Sequence, residues 1–339
     1  MQPPDGSGYP RLPRIQRRRP LRVLRWALLL VLAYVVFLIG VPVLVWDRVD
    51  KVAFEPAGER PVDASGTNYL IVGSDSREGL TAEEKVKLGT GSASGRRTDT
   101  IMVLHVPTVP SSPTLLSIPR DSYLPIPGAG RNKVNAAYAF GGPKLLARTL
   151  EDATGLRIDG YVQIGFGGFV DVVDGLGGVR MCLPGPVKDA KAHIDLPAGC
   201  QNLRGANALG YVRARHFDPL GDLGRVKRQR EFMSTVMKET LTGSTVGNPI
   251  RYTRVGLAYG DALTVGDTTG GFDLARFSLA MLAVSAGRGT TLTVPVADPF
   301  ARTPAGTAVV WDRPKAQALF DALRSGDPIP QGLVSKGAR

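Results

Sequence analysis

The chain has 339 residues, of which 43% are hydrophobic and 21% charged. This composition is that of a globular protein with enough length to bury a core, and it argues against a disordered chain. The formal net charge is +12, and about half of it is local, because residues 1–25 contain seven arginines and one acid. The sequence has no Gly-Lys-Ser phosphate loop, so nucleotide hydrolysis is unsupported.

The N-terminal region reads as a tail followed by a membrane span. Residues 1–21 are rich in Pro, Gly and Arg, which predicts a disordered basic tail. Residues 27–45 then contain no charge and are flanked by Trp26 and Trp46. A helix of this length spans about 28 Å, close to the thickness of the hydrocarbon core of a bilayer. We therefore predict a transmembrane helix over residues 22–46, with the arginines that precede it on the cytoplasmic side.

A cleaved signal peptide is the alternative interpretation of this apolar run. The run is long for the apolar region of a signal peptide, and residues 45–47 (VWD) lack the small residues of a cleavage site. We therefore expect a single-pass anchor in the cell membrane. A stalk is predicted over residues 47–62, an extracytoplasmic domain over residues 63–323 and a flexible tail over residues 324–339.

Strand and helix patterns alternate through the external part of the chain. Brief apolar runs bounded by turn residues predict strands at residues 68–73, 100–106, 114–118, 161–164, 179–183 and 290–295. Helical spacing or composition predicts helices at residues 142–154, 166–176, 226–242, 272–286 and 314–323. This alternation indicates the α/β class, as a single layered domain.

Three polar clusters adjoin the first three predicted strands. They are GSDSR at residues 73–77, RTDT at residues 97–100 and SIPRDS at residues 117–122. Because ligands of layered α/β domains often bind beyond the strand ends, we expect these loops to share one cleft. Taken singly, Asp75 has the alternative of a turn residue, and Asp99 that of a helix cap or strand-edge acid. Arg120 beside Asp121 has the alternative of a surface ion pair.

Arginines are concentrated in residues 211–230. If residues 209–215 form a strand, Arg213 and Arg215 point to one face of it. A helix would place Arg225, Arg228 and Gln229 on one face, because they are spaced at i, i+3 and i+4. If the arginines of the strand and those of the helix converge on one small volume, they would suit a compact anion such as pyrophosphate, because a guanidinium group binds phosphate oxygens in pairs. A solvated basic face is the alternative, and nucleic-acid binding is disfavoured by the predicted position outside the membrane.

The two cysteines, Cys182 and Cys200, fall in the predicted external part of the chain, where disulfides persist. A bridge between them would close a loop of about 18 residues and stabilise the fold by about 3 kcal/mol. Two free buried thiols are the alternative. A metal site is set aside, because two cysteines and the distant His193 supply too few ligands.

Seven motifs in this order resemble the LytR-CpsA-Psr family of cell-wall glycopolymer ligases. They are the three polar clusters, KVNAAY at residues 133–138, DGLGGV at 174–179, YVRAR at 211–215, and DLGR at 222–225 with RQR at 228–230. One such motif is weakly specific, whereas seven in order are highly specific. The resemblance covers residues 68–242 strongly, and the predicted anchor and external domain agree with it. The fold that it implies is an α-β-α sandwich with a central mixed sheet.

The resemblance implies an enzyme that takes a glycopolymer from a polyprenyl-pyrophosphate carrier and joins it to peptidoglycan through a phosphodiester, releasing polyprenyl phosphate. It implies that Mg²⁺, or alternatively Mn²⁺, is held by Asp75 and Asp99. The phosphates would be bound by Arg120, Arg213, Arg215 and Arg225. Other substrate contacts are expected from Arg77, Asp121, Lys133, Asn135, Asp222, Arg228 and Gln229. An apolar tunnel for the lipid has as candidates Leu145, Leu146, Leu150, Phe166, Phe169 and Val173, for which plain core is the alternative.

Two other functions stay open at this point. One is a regulator that binds polyprenyl phosphates without chemistry, and the other is a pyrophosphatase that acts on the carrier. The Ala-, Gly- and Arg-rich composition suggests a high-GC Gram-positive source, for which arabinogalactan would be the donor polymer. No residue is marked as the general base, for which Asp121, Asp222, the substrate and the metal are all candidates. The insert at residues 78–96 is interpreted as a spacer rather than a lid.

Overall fold

The computed structural model describes residues 19–75, 81, 83, 98–108, 111–214 and 222–333, with the side chains of 19–21, 222, 223 and 226 left out. It divides into two compact units, Met1–Leu44 and Val45–Arg339. Among the described residues, one helix is long and apolar enough to cross a membrane. It covers Arg22–Trp46 and has a mean hydropathy of 3.0 over its most apolar window. This is consistent with the predicted anchor, while the orientation of the anchor stays a prediction.

The elements of the fold are as follows, in chain order. The strands are β1 (Asp50–Val52), β2 (Gly66–Ser74), β3 (Thr98–Pro107), β4 (Thr114–Ile118), β5 (Tyr123–Ile126), β6 (Gly130–Lys133), β7 (Gly160–Ile164), β8 (Val179–Leu183), β9 (Val187–Asp189), β10 (Ile194–Leu196), β11 (Gly199–Leu203), β12 (Leu263–Gly266), β13 (Thr290–Thr293), β14 (Val296–Thr303) and β15 (Gly306–Trp311). The helices are α1 (Arg19–Trp46), α2 (Val134–Thr154), α3 (Phe166–Gly175), α4 (Gly205–Arg213), α5 (Asp222–Thr240), α6 (Gly243–Val246), α7 (Pro249–Ala262), α8 (Gly271–Ser285) and α9 (Arg313–Ser325).

A seven-stranded mixed sheet forms the centre of the second unit, in the order β1-β12-β7-β2-β3-β4-β13. The pairs β1–β12, β2–β7 and β4–β13 are parallel, and the other neighbours are antiparallel. Each of the six predicted strands and five predicted helices corresponds to one of these elements. The predicted α/β class and mixed sheet are therefore confirmed.

The sheet is covered by helices on both faces, because its strands are apolar on both faces. Leu70 and Val72 of β2 pack into a core that includes residues of α2 and α9. Tyr69 and Ile71, which alternate with them, pack into a second core with Met281 of α8. Side chains of a strand alternate between its two faces, so this division follows from the period of the strand. The result is an α-β-α sandwich.

Residues 47–62 are part of the domain and do not form the predicted stalk. Strand β1 is an edge strand of the main sheet, and its Lys51 lies opposite Val265 of β12. Phe54 is completely buried, and its ring stacks on that of Tyr161 with 5.8 Å between the centroids. Leu333 packs against the core that contains Phe54, so the described residues 324–333 of the predicted tail are part of the domain.

A small four-stranded region follows α3 and contains the disulfide. Strand β8 pairs with β11 so that Cys182 lies directly opposite Cys200, and the two are bonded, as predicted. The chain between them forms the hairpin β9–β10. This hairpin packs on Gly210 of α4, where a Cβ would lie 2.1 Å from Cγ2 of Ile194 and 2.8 Å from the carbonyl oxygen of Ala192. A larger residue at position 210 would push the hairpin away.

Removal of the disulfide is expected to lower the free energy of unfolding by about 2–4 kcal/mol, because the unfolded chain loses a constraint on its loop. The variant is Cys182→Ser with Cys200→Ser, measured by urea unfolding of the full chain in detergent. Wild-type protein kept under a thiol reductant is the control and should lose the same stability. Equal unfolding midpoints for variant and wild type under oxidising conditions would contradict this expectation.

Candidate active site

The first two polar clusters meet where β2 ends and β3 begins. Strands β2 and β3 are antiparallel, and Ser74 lies opposite Thr98 at their paired ends. Asp75 follows Ser74 beyond this pair, and Asp99 follows Thr98 inside β3, where the register shifts by one residue. The Thr98 hydroxyl donates a hydrogen bond of 3.0 Å to the carbonyl oxygen of Gly73, which closes the pairing. The expected convergence of these loops is thus borne out for the described residues.

Asp99 is bound by two arginines from different elements. Its carboxylate is in direct contact with the Arg120 guanidinium, and its Oδ1 lies 3.9 Å from Nη1 of Arg225. Burial alone would raise the pKa of Asp99, but the positive charges of Arg120 and Arg225 outweigh burial and lower its pKa below the usual value. Asp99 is therefore a carboxylate at neutral pH. Arg120 therefore pairs with a carboxylate of another cluster as well as with its neighbour Asp121, and both of these pairs are mostly buried.

The three polar residues that the i, i+3, i+4 spacing places on one face of α5 are buried, so this face is not the solvated basic face of the alternative. Arg225, Arg228 and Gln229 are 3%, 8% and 9% exposed. Gln229 Oε1 accepts a hydrogen bond of 3.0 Å from the Thr100 hydroxyl, and its Nε2 donates one of 3.1 Å to the carbonyl oxygen of Val212. Gln229 therefore joins β3 to the end of α4. Arg228 donates to the carbonyl oxygen of Ala214 and, within the described part of the chain, lines neither cavity described below.

Residues 209–213 are helical, so the condition on which Arg213 and Arg215 were expected to share one strand face, a strand over residues 209–215, is not met. A short apolar run does not by itself distinguish a strand from a buried helix. Here Leu209 and Val212 are buried together in the core that includes α3 and α5. Arg213 ends α4, where a cation is favoured by the helix dipole, and its guanidinium carbon lies 4.9 Å from the centroid of the Phe166 ring.

Three of the predicted site residues fall outside the described part of the chain. The predictions for Arg77 and Arg215, and for the side chain of Asp222, lie there. Among the described residues, three others are arranged around Arg120. Asp121 lies 3.6 Å from Nε of Arg120 and 3.3 Å from Nζ of Lys133, and the backbone N–H of Asn135 donates to the carbonyl oxygen of Arg120. Their contacts support the position of Arg120.

A cationic pocket of about 130 Å³ lies at this edge of the sheet. Its lining residues come from five segments of the chain and are Asp99, Arg120, Asp189, Lys191, Ala192, Arg213 and Arg225. Four cations face two acids, so the pocket carries a net positive charge suited to a multiply charged anion. Planar guanidinium groups bind phosphate oxygens with directed hydrogen bonds, which favours a phosphate or pyrophosphate group.

Asp189 and Lys191 were missed by the sequence analysis. Asp189 is 2% exposed, and its Oδ1 accepts hydrogen bonds from the backbone N–H groups of Lys191 at 3.0 Å and Ala192 at 3.2 Å. This contact shapes the turn of the β9–β10 hairpin and holds Lys191 at the pocket. The only local signal is an Asp followed by a Lys two positions on, which is common in surface turns.

An apolar cavity of about 170 Å³ adjoins the cationic pocket, and the two share Asp99 and Arg213 as lining residues. Phe166, Phe169 and Val173 line it, as predicted. Residues that were not predicted come from α5 and α8 and include Met233, Met237, Phe277 and Met281. Such a pair of cavities can hold a molecule with an apolar tail and an anionic head.

The prediction that Leu145, Leu146 and Leu150 line the lipid tunnel is corrected. Leu146 and Leu150 are completely buried, and Leu145 packs against them, in the core between α2 and the other face of the sheet. The cavity is lined by Ile71, which alternates with Leu70 and Val72 along β2 and points to the opposite face. These three leucines are therefore plain core, which was the alternative.

Filling the apolar cavity is expected to weaken binding of an apolar ligand. Val236→Trp places a large ring among the cavity side chains, and binding of a fluorescent alkyl probe should weaken about tenfold, which corresponds to about 1.4 kcal/mol. The control is Leu146→Ala on the other sheet face. It should lower the free energy of unfolding by about 2–5 kcal/mol while leaving probe binding unchanged at low temperature. Equal probe binding by Val236→Trp and wild type would contradict the assignment of the cavity.

The fold and the site together define a class of protein: α-β-α sandwiches with an apolar cavity that opens on a cationic pocket. Within this class, the LytR_cpsA_psr family is the one whose model matches the chain, over residues 47–262. The chain belongs to the LytR_cpsA_psr family. The matched segment begins three residues before the edge strand β1 and includes every described residue of the cationic pocket.

Known proteins similar to the chain agree with this assignment. The chain is 48% identical over 280 residues to the probable cell wall biosynthesis protein LcpB of Corynebacterium glutamicum; the match covers 82% of the chain and 66% of LcpB, just under two thirds of its length. Its fold resembles that of the LytR-Csp2A-Psr enzyme from Actinomyces oris, with a TM-score of 0.64 and 23% identity over 82% of this chain and 96% of that one. TagT bound to LIIa-WTA has a TM-score of 0.57 and 23% identity, over 79% and 97% of the two chains.

Proposed function

We propose that the chain is a phosphotransferase that moves a glycopolymer from a polyprenyl-pyrophosphate carrier to peptidoglycan. The observation that carries this proposal is the shared boundary of the two cavities at Asp99 and Arg213. A polyprenyl tail would occupy the apolar cavity, and its pyrophosphate would meet the arginines at the boundary. The fold alone would not identify such a substrate, because one fold supports many functions.

The names of similar proteins support the same reaction class. LcpB is described as a probable cell wall biosynthesis protein, the Actinomyces oris protein as an enzyme, and TagT as a protein that binds LIIa-WTA. We therefore propose a cell-wall glycopolymer as the donor and an extracytoplasmic position for the domain. Arabinogalactan remains the expectation from composition for the identity of the polymer.

In the proposed reaction, a peptidoglycan hydroxyl attacks the phosphorus atom that carries the glycopolymer. A new P–O bond forms to the acceptor, the P–O bond within the pyrophosphate breaks, and polyprenyl phosphate leaves. The hydroxyl proton passes to a base that is not yet assigned. Arg120, Arg213 and Arg225, together with Arg215 from the motif, would bind the two phosphates. They would neutralise the charge that develops during transfer, which is the main contribution of a protein to phosphoryl transfer.

Asp75 and Asp99 are proposed to hold Mg²⁺, with Mn²⁺ as the alternative. Among the described residues, no group of three His, Cys, Asp or Glu side chains could hold a metal ion alone. The donor set nevertheless fits Mg²⁺, which commonly takes one or two carboxylates and completes its shell with waters and substrate phosphates. When bound, the ion would supply charge neutralisation at the phosphate oxygens. Asp99 would also keep Arg120 and Arg225 oriented toward that position.

A transfer assay with the purified full chain tests the proposal. The substrates are a labelled lipid-linked glycan and peptidoglycan fragments, and mass spectrometry identifies both the products and any lipid that purifies with the protein. A cross-linked glycan–peptidoglycan product that depends on Mg²⁺ would support the phosphotransferase. Free phosphate or a phosphorylated glycan would indicate a pyrophosphatase, and bound polyprenyl phosphate without turnover would indicate a lipid-binding regulator. Either of the last two results would overturn the proposal.

A further inference from the structure

Helix α8 has an exposed apolar face on one side and lines the apolar cavity on the other. Phe272 and Leu279 are 83% and 68% exposed, and Ala275 between them is also exposed. Their i, i+3, i+7 spacing places the three on one face of the helix. Phe277 and Met281 of the same helix line the cavity. Single exposed apolar residues are ordinary, whereas a row of them on a helix that walls a cavity indicates a contact surface.

The start of α8 lies next to Trp46, the last residue of the apolar span. A Cβ on Gly271 would lie 3.8 Å from Cδ2 and 4.0 Å from Cε2 of the Trp46 ring. The Lys51 ammonium lies 5.3 Å from the centroid of the same ring. Tryptophan at the end of a membrane span, with a lysine beside it, is typical of the interface between bilayer and water. The N-terminal end of α8 therefore lies beside the residue that ends the apolar span.

We infer that the apolar face of α8, formed by Phe272, Ala275 and Leu279, rests on the membrane surface with its side chains among the lipid headgroups. The bilayer is the proposed occupant because α8 begins beside Trp46, and both belong to the second unit of the structure. Phe272 and Leu279 are about 10.5 Å apart along the helix axis, so the proposed contact would extend over two turns of α8.

Contact of α8 with the bilayer would place the apolar cavity one helix away from the lipid. A lipid tail could then pass between bilayer and cavity without crossing water. This consequence rests on the proposed function, whereas the contact itself depends only on the apolar face and on the anchor. The membrane contact of α8 and the proposed function can therefore be contradicted independently of each other.

Spin labels on the full chain in liposomes of phosphatidylglycerol and phosphatidylcholine test the contact. Leu279→Cys and Phe272→Cys are labelled separately, since the native cysteines are bonded to each other and the described chain has no free thiol. The control is Lys315→Cys on α9, whose side chain is 62% exposed and which packs on the opposite face of the sheet. Accessibility to oxygen and to a nickel chelate gives the depth of each label.

Labels at positions 272 and 279 are expected about 5–10 Å inside the headgroup and acyl boundary, with raised oxygen and lowered nickel accessibility, while position 315 remains in water. Water-like accessibility at both positions of α8 would overturn the inference. Low accessibility to both reagents with an immobilised spectrum would also overturn it, since that result indicates a protein partner such as a second copy. The experiment measures no turnover, so its result does not depend on whether the chain has the proposed transferase activity.

Discussion

Replacement of Arg120 by alanine is expected to lower kcat for glycopolymer transfer about 10²- to 10³-fold, the loss typical when one donor to a developing charge is removed. Arg120 lines the cationic pocket and touches Asp99, with 17% of its side chain exposed. Because the charge on the transferring phosphate grows in the transition state, kcat should fall more than KM rises. Steady-state kinetics with a labelled lipid-linked glycan measure both constants.

Two matched variants separate this role from general loss of positive charge. Lys227→Ala removes a cation from the same helix as Arg225, but the Lys227 side chain is 69% exposed and pairs only with Glu231 at 3.9 Å among the contacts described. It should leave kcat unchanged. Arg120→Lys keeps the charge but loses the planar pair of donors, so it should recover only part of the activity. Full activity in Arg120→Ala, or an equal loss in Lys227→Ala, would remove Arg120 from the phosphate site.

The same substitution should change the pH dependence. Burial raises the pKa of Asp99, and the charges of Arg120 and Arg225 lower it further than burial raises it. Loss of Arg120 removes part of the lowering effect, so the pKa of Asp99 should rise. In the wild type, the ionised Asp99 contributes to the free energy of unfolding at every pH above its unfolded pKa of about 3.9. This contribution is lost as the pH falls through the lower pKa of the folded state. The acid limb of the kcat/KM profile reports the pKa of an essential carboxylate in the free enzyme. Because the pKa of Asp99 rises in Arg120→Ala, this limb should move to higher pH.

Glu151→Ala is expected to lower the free energy of unfolding by about 3–5 kcal/mol, because it leaves a buried guanidinium without its main carboxylate. The Glu151 side chain is 0% exposed and that of Arg60 is 11% exposed, and their closest atoms, Oε1 and Nη2, are 2.6 Å apart. Oε1 also accepts a hydrogen bond of 2.9 Å from the backbone N–H of Ile158. Urea unfolding of the full chain in detergent measures the change.

Asp152→Ala on the same helix is the control for Glu151→Ala. Asp152 pairs with Arg148 at 3.0 Å, but both side chains are about one third exposed, so the loss should stay within about 0.5 kcal/mol. Replacing both buried partners, as Arg60→Met with Glu151→Leu, should recover part of the stability, since no unpaired charge remains while the backbone N–H of Ile158 still loses its acceptor. Similar unfolding midpoints for Glu151→Ala and Asp152→Ala would show that the buried pair contributes little.

The central strands were predictable because each is buried on both faces and therefore reads as a continuous apolar run. Residues 68–73 and 114–118 are examples. Strand β1 was not predictable, because its three residues, Asp50–Val52, carry two charges and no pattern. Its place at the sheet edge depends on β12, more than two hundred residues later in the chain. The buried ion pair of Arg60 with Glu151 was not predictable either, because its two residues are 91 positions apart in the chain.

The site residues that lie in recognisable sequence motifs were predictable. Asp99, Arg120 and Arg225 lie in three motifs and meet in the structure as expected. Asp189 and Lys191 were not predictable, because the packing of their hairpin on Gly210 brings them to the pocket. The helical spacing of Leu146 and Leu150 indicated burial, but spacing along a helix does not tell which face of the sheet the helix covers.

The apolar cavity has a kinetic consequence for the proposed reaction. The polyprenyl chain is common to the donor and to the released polyprenyl phosphate, so its contacts with Phe169, Phe232 and Met281 would be the same before and after transfer. The leaving phosphate also keeps a charge of about −1.5 to −2 near neutral pH for the same arginines. The spent carrier should then compete with fresh donor, and its exit into the bilayer would set the turnover rate.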